Sequence, residues 1–438
     1  MDHGVLVVIG SVVLQMVAGT VYVWGTISIY ACSFLQQNGD PDASYESTAL
    51  VIPFNYLLTA AFVPLVVGPC RCLHPKIIIA FGSLLITLSV FLTQYARSST
   101  AILLLFGVSA GVGEACVFLT PVVCALHYYP QRKGLITGLS YAGLSLGLFF
   151  FSELFFAFAN PDNLSPDIEH VHGDVVDLYY SAEVANHYPR SISYISIILL
   201  IFSIAATVLI RMPGAKWKKR LEDASVIENR KILEDSEVEE PPLSSKDVLS
   251  SGAFWKLYAM AVLASFFGSY MYSVAKPFGL MKNGDDHFNT LAITIAGLVG
   301  GGLRFLWTWG IDIWGFKKVG AVLFTVIILV SCTLPSVAST KALYFIWIVL
   351  SVMCDAAIIA LFPAVSAHTF GIEKGTMAFS IIFSGIALIL VAGSLISEFL
   401  VAKVGYESFF YASGVAAGLA LFLHLCIPTK HLENCEKR

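Results

Sequence analysis

The stretch Pro121-Val-Val-Cys-Ala-Leu-His127, followed by Lys133-Gly134, has a counterpart in Pro363-Ala-Val-Ser-Ala-His368, followed by Lys374-Gly375. The two copies lie about 242 residues apart in a chain of 438 residues. Similarity at so large an offset predicts two halves built alike, an arrangement typical of membrane transporters whose halves rock around a shared site. A plainer interpretation stays open, because junctions between loops and apolar helices often share such residues.

Both copies lie within long apolar runs. A helix of about 20 apolar residues crosses a hydrocarbon core of about 30 Å, and most runs in this chain reach that length. We therefore predict an all-α membrane protein with twelve transmembrane helices in two pseudo-symmetric six-helix bundles. The runs lie near 5–35, 48–68, 77–96, 101–128, 134–158 and 190–210, and then near 254–281, 290–310, 319–338, 342–367, 375–400 and 407–427.

The composition of the whole chain agrees with this prediction. Hydrophobic residues make up 57% of the sequence and charged residues 13%, against about 25% charged residues in an average soluble protein. So little polar surface excludes a disordered protein, a nucleic-acid binder and a disulfide scaffold. The sequence contains no nucleotide-binding loop and no hydrolytic motif, so we expect a protein that is not an enzyme and has neither a cofactor nor a metal site.

Charge divides the chain into four parts. We predict an N-terminal six-helix bundle over residues 1–210, a cytosolic linker over 211–253, a C-terminal six-helix bundle over 254–427 and a cytosolic tail over 428–438. The linker begins with basic residues and then becomes acidic and proline-bearing. Its apolar content is too low to build a core of its own.

The distribution of Lys and Arg predicts the orientation. With the N-terminus in the cytosol, nineteen of the 26 basic residues fall in or beside cytosolic segments and five fall on the other side. Positive charge is retained on the cytosolic side of membrane proteins. We therefore expect both termini in the cytosol, in the plasma membrane or an organelle membrane.

The turn between the predicted eighth and ninth spans carries the most specific motif, Arg304-x7-Asp312-x2-Gly315-x-Lys317-Lys318. It resembles the conserved cytosolic turn of the major facilitator superfamily. The resemblance implies a gate, in which an acid at a helix end contacts basic and backbone groups of a neighbouring helix and stabilises the outward-facing state. Asp312, Lys317, Lys318 and Arg132 are the candidate gate residues. The family's leading glycine is Thr308 here, and the matching first-half turn, residues 68–76, has no aspartate.

Within the superfamily, the chain resembles the oxalate/formate antiporters and the monocarboxylate transporters. The residues that carry this resemblance are Tyr22-Val-Trp24-Gly25, the stretch Tyr128–Gly134, and Leu361-Phe362-Pro363-Ala364. The resemblance implies that Arg304, in span eight, binds a substrate carboxylate, and a guanidinium suits bidentate binding of that group. The family's second cation, in span eleven or span one, has no counterpart here.

Two carboxylates lie inside predicted spans, Glu114 in span four and Asp355 in span ten. Ionisable residues are costly inside a bilayer, by about 2.5–3.5 kcal/mol on insertion scales. The resemblance implies that spans one, four, seven and ten line the central cavity. We expect one of the two carboxylates to take up a coupling proton and the other to pair with Arg304, although a permanent polar contact between helices is an alternative.

Three further residues are candidates for the substrate site. Lys276, beside Pro277 near the outer end of span seven, is a candidate for the missing second cation, with a position at the membrane interface as the alternative. Tyr22 and Trp24 are candidates for the cavity wall, although most aromatic residues in such a chain pack or belt the membrane.

Together these features predict a secondary active transporter of small organic anions, coupled to protons or to a counter-anion. The anion is a monocarboxylate such as pyruvate or lactate, or a substrate of the oxalate and formate type. Two alternatives stay open: a carrier of a sugar, nucleoside or amino acid, and a transporter-like receptor. The expected partners are the substrate, the coupling ion and the lipid bilayer, with no nucleic acid, and the expected state is a monomer.

Overall fold

Long apolar helices make up most of the protein. The computed structural model describes residues 3–48, 50–68, 73–162, 164, 166–172, 175–213, 245–283 and 286–426. The interior of the predicted linker, the predicted tail and residues 69–72 of the turn at 68–76 lie outside the described residues.

The first six helices follow the predicted apolar runs closely. Consecutive helices alternate in direction across the bundle. Each is joined to the next by a short polar connection, except for the longer one between the fifth and sixth. They are α1 (His3–Asn38), α2 (Val51–Val67), α3 (Pro75–Leu92), α4 (Ser99–Leu126), α5 (Lys133–Ala159) and α6 (Tyr188–Leu209).

Glycines with positive φ separate helices of the second set at three points. Gly315 and Gly405 both have φ of 75° and Gly371 has φ of 82°, conformations that favour glycine, and each lies between two helices. The described residues therefore form the twelve helices that the sequence predicts. The second six are α7 (Gly252–Asn283), α8 (Asp286–Gly302 and residues 304–314), α9 (316–337), α10 (Lys341–Phe370), α11 (372–404) and α12 (Gly405–Leu425).

A short β-hairpin between α5 and α6 is the one described addition to the all-α architecture. Strand β1 (Ile168–His172) pairs antiparallel with β2 (Val175–Tyr179). Directly after β2 the chain packs on α1, where the Tyr180 nitrogen donates to Ser33 Oγ at 2.9 Å and the Tyr180 ring stacks on Tyr30 at 4.7 Å. A search for long apolar runs does not detect this pair of short strands, because it lies between two such runs.

Irregular segments interrupt α1 and α8 near the middle of the bundle. In α1 the residues Gly19–Val23 form a tighter 3-10 turn, and a side chain at Gly19 would collide with the backbone carbonyl of Leu144 in α5. In α8 the helix is interrupted at Leu303, where φ is −86° and ψ is 4°. Both irregular segments lie beside the same part of α5.

The side of the bundle that carries both described chain ends is called the terminal side. There Lys256 Nζ donates to the Cys426 carbonyl at 3.4 Å, and Gly4 lies against the Tyr129 ring. The α5 helix of the first set contacts α8 and α10 of the second set at this side, and α2 contacts α11. The two sets of helices are therefore in contact on the terminal side.

Candidate functional site

Arg304 begins the second segment of α8, directly after the interruption, and is only 6% exposed. Its Nε donates to the Gly301 carbonyl at 2.8 Å, and its Nη2 donates to Ser145 Oγ at 2.6 Å. Gly301 belongs to the same helix, whereas Ser145 belongs to α5 in the other half. A guanidinium keeps its positive charge even when it is buried, so Arg304 places a permanent cation between the two halves.

Tyr22 lies in the 3-10 turn of α1 and is half-buried. Its hydroxyl hydrogen-bonds with Tyr56 of α2 and lies within electrostatic range of Glu114, Arg304 and Asp355. The structure thus brings three of the predicted charged residues around one tyrosine. The sequence separates these residues by up to about 330 positions.

Glu114 lies in α4 and is 3% exposed. Thr59 Oγ1 donates to its Oε2 at 3.4 Å, and the Asn55 amide, oriented with its nitrogen toward the carboxylate, donates to the same oxygen at 2.7 Å. Among the described residues, no Lys, Arg or His side chain forms an ion pair with it. Glu114 is therefore solvated by neutral polar groups of α2.

Asp355 lies in α10 and is 7% exposed. Its carboxylate lies directly against Gly268 of α7, where any side chain would collide with it. Lys276 is further along the same helix, and its side chain lies outside the described part of the chain. The pairing of Arg304 with one of the two carboxylates stays a prediction.

Trp24 takes a different position from Tyr22. It is 4% exposed, and its ring lies 5.0 Å from that of Phe106 in α4. This packing inside the first half favours a supporting role for Trp24 beside Tyr22.

Asp312 joins the two halves on the terminal side. Its two carboxylate oxygens accept hydrogen bonds from the backbone nitrogens of Gly134 and Leu135, each at 2.8 Å. These nitrogens lie in the first turn of α5, where helical N–H groups lack partners within the helix and attract negative charge. His368 Nε2 lies 3.1 Å from Asp312 Oδ1. We call Asp312, Gly134 and Leu135 the terminal latch.

The other candidate gate residues lie around this latch. Lys317 is half-buried and its carbonyl accepts a hydrogen bond from His424 at 2.9 Å, while Lys318 and Arg132 are exposed. Lys133, which the sequence analysis did not select, also bonds across the halves, since its Nζ donates to the Ala367 carbonyl at 3.0 Å.

Ser145 was also missed, although a pattern pointed to it. It continues the series of small residues at Gly134 and Gly138 on α5, and all three lie against α8. Gly134 and Gly138 approach Thr308, while Ser145 approaches Gly301. We call this contact the α5–α8 seam.

Two sets of six helices that meet over a central group of buried charges define a class, the multi-pass membrane transporters built from repeats. A sequence profile of the Major Facilitator Superfamily matches residues 7–281 and 258–434. The chain belongs to the Major Facilitator Superfamily, whose members are transporters and not enzymes.

Relatives of known function confirm the predicted resemblance. Apicoplast pyruvate carrier 1 of Toxoplasma gondii is 24% identical, with 97% of this chain and 88% of the carrier aligned. The oxalate:formate antiporter of Oxalobacter formigenes is 20% identical, over 80% of this chain and 74% of the antiporter. Monocarboxylate transporter 14 of Mus musculus is 33% identical over 98 residues, which are 22% of this chain and 19% of that protein.

Solved structures show the same fold. The E. coli fucose:proton symporter FucP superposes with a TM-score of 0.63 at 13% identity, covering 97% of this chain and 99% of the symporter. The human organic anion transporter MFSD10 superposes with a TM-score of 0.65 at 13% identity, covering 97% of this chain and all of that chain. Identities this low establish the architecture alone.

Proposed function

We propose that this protein is a secondary active transporter of small carboxylates, with Arg304 as the group that binds the carboxylate. The observation that carries the proposal is a guanidinium buried at a helix interruption in mid-bundle, which donates to the Gly301 carbonyl and, across the two halves, to Ser145. The relatives named for pyruvate, for oxalate and formate, and for monocarboxylates support this substrate class.

The surrounding residues have distinct proposed roles. Tyr22 lines the site, because it is half-buried and lies within electrostatic range of Arg304. Glu114 takes up the coupling proton, because its described partners are neutral, and Asp355 pairs with Arg304 between transport steps. Lys276 is the proposed second cation.

The proposed cycle is alternating access, driven by a proton gradient or by exchange with a counter-anion. In it, residues 1–210 and 254–427 move as two bundles, joined by a linker at 211–253 and followed by a tail at 428–438. With both termini in the cytosol, as the distribution of basic residues predicts, a closed terminal side is the outward-facing state.

The test is uptake of labelled pyruvate, lactate, oxalate and formate into proteoliposomes, with and without a pH gradient. We expect uptake of at least one carboxylate by the wild type, its near-complete loss in Arg304→Ala and only partial recovery in Arg304→Lys, since a single ammonium lacks the bidentate geometry. Arg190→Ala is the matched control, because Arg190 lies at the start of α6 and binds Tyr194 of the same helix. Uptake that is equal in Arg304→Ala and the control would contradict the proposal.

One observation favours a second function, transport of a neutral solute with Arg304 in the gate. Arg304 bonds across the two halves through Ser145, as a gate residue does. In that case sugars, nucleosides or amino acids compete for uptake and carboxylates do not.

A further inference from the structure

One turn of α5 contacts both irregular helix segments. The Leu144 carbonyl lies against Gly19 in the 3-10 turn of α1. The next residue, Ser145, lies against Gly301, immediately before the interruption of α8, and accepts the hydrogen bond from Arg304. This turn of α5 therefore connects the segment that carries Tyr22 with the segment that carries Arg304.

Two acceptors of Arg304, the Gly301 carbonyl and the Ser145 hydroxyl, differ in whether they move with it. Gly301 lies three residues before it on α8 and moves with it, so that bond persists whatever the two halves do. Ser145 lies in the opposite half, at the far end of the α5–α8 seam from the terminal latch. When the halves separate on the terminal side, α5 moves away from α8 and the bond to Ser145 breaks.

We propose that Ser145 is a positioning residue that holds the Arg304 guanidinium in its binding orientation only while the terminal side is closed. The proposal rests on the function proposed above and adds to it that carboxylate affinity differs between the two faces of the membrane. Its physical basis is that Ser145→Ala removes the acceptor of a buried N–H of Arg304. Because this bond exists only in the closed state, its loss raises the free energy of the closed state and leaves that of the open state unchanged.

The experiment measures KM for the carboxylate in proteoliposomes of defined orientation, from each side separately, in wild type and in Ser145→Ala. From the side opposite the termini we expect an increase in KM of about tenfold, and from the terminal side no change. Ser140→Ala is the matched control, because Ser140 is a buried serine of the same helix whose partner, Ser11 at 3.0 Å, lies in the same half. We expect its KM values to match those of the wild type on both sides.

A second measurement needs no substrate. With the nine native cysteines replaced, Thr308→Cys places a thiol in the α5–α8 seam, where the wild-type side chain is buried. We expect an impermeant maleimide to label this thiol several-fold faster when Ser145→Ala is added, since the closed state is then less populated.

The outcomes separate the two proposals. If the wild type transports no carboxylate, the proposed function fails, and labelling alone then tests Ser145. If the wild type transports a carboxylate and Ser145→Ala changes KM equally on both sides, or leaves labelling unchanged, the proposal for Ser145 is overturned and the proposed function stands. Should Ser145→Ala fail to fold, Ser145→Cys replaces it, because a thiol is close in size to the hydroxyl and is a weak acceptor. The proposal then requires that Ser145→Cys raise KM from the side opposite the termini, by less than the value expected for alanine.

Discussion

Two buried charged residues in the middle of this bundle have neutral polar groups beside them. Arg304 donates to a carbonyl and to a hydroxyl, and Glu114 accepts from an amide and a hydroxyl. A carboxylate bound by neutral donors can take up a proton without leaving a cation unpaired, whereas a guanidinium keeps its charge and attracts an anion. This contrast supports the roles proposed above, anion binding for Arg304 and proton exchange for Glu114.

This contrast leads to a prediction at the residue scale. Glu114→Gln keeps the size and the hydrogen-bonding groups but cannot exchange a proton, so we expect uptake driven by a pH gradient to fall to the rate measured without a gradient. For Asp355→Asn we expect instead a higher KM for the carboxylate, because we propose that Asp355 pairs with Arg304. The measurement is initial uptake rate with and without an acidic exterior.

Glu153→Gln is the control, since Glu153 is an exposed carboxylate of α5. A Glu114→Gln variant that keeps its full response to the pH gradient would show that the proton is carried elsewhere.

At the scale of elements, α5 is the helix that both halves use. Gly143 and Gly147 lie against Val12 and Met16 of α1, in the same half. Gly138 lies against Thr308 and Phe305 of α8, in the other half. Small residues allow helix backbones to approach closely. One face of α5 makes such contacts within its own half, and another face makes them with the other half.

We expect matched alanine substitutions to separate these two faces. Gly143→Ala inserts a methyl group against the Val12 carbonyl within one half, and overpacking of this kind costs about 1–3 kcal/mol, so the melting temperature falls. Gly138→Ala inserts its methyl group into the α5–α8 seam, which opens during transport, so the melting temperature stays near that of the wild type and the seam opens more often. Thermal unfolding in detergent and thiol labelling at Thr308→Cys measure the two effects.

The result that would contradict this division is a Gly138→Ala variant that loses as much thermal stability as Gly143→Ala while labelling in the seam stays slow.

At the scale of the whole molecule, the closed terminal side depends on few polar contacts between the halves. Asp312 supplies two of them, to the first turn of α5, and Lys133 supplies another to α10. The Arg304–Ser145 hydrogen bond is a further polar contact between the halves. Because each such contact contributes little free energy, a change of about 1–2 kcal/mol shifts the balance between the closed and open states severalfold.

Asp312→Asn tests this balance. The amide removes the negative charge at the α5 N-terminus and turns one acceptor into a donor, so we expect the terminal side to open more often and seam labelling to accelerate. Glu373→Gln is the control, because Glu373 is an exposed acid in the first turn of α11. Equal labelling in the two variants would show that the terminal latch does not stabilise the closed state.

The sequence alone predicted the part of this protein that depends on local composition. The twelve helices, the reversal at Gly315 and the rarity of Glu114, Arg304 and Asp355 follow from hydropathy and from the cost of charge in a bilayer. These are properties of short windows of sequence, and no contact between distant residues is needed to recognise them.

Only the tertiary structure decided which face of each helix meets which neighbour. Helices that are apolar on every side carry little amphipathic signal, so their rotation is set by packing with other helices. For that reason the sequence did not reveal that Glu114 faces Thr59, that His368 lies beside Asp312, or that Ser145 binds Arg304 across 159 positions. The β-hairpin at 168–179 was missed for a different reason, since it lies outside the apolar runs and its pairing is visible only in the fold.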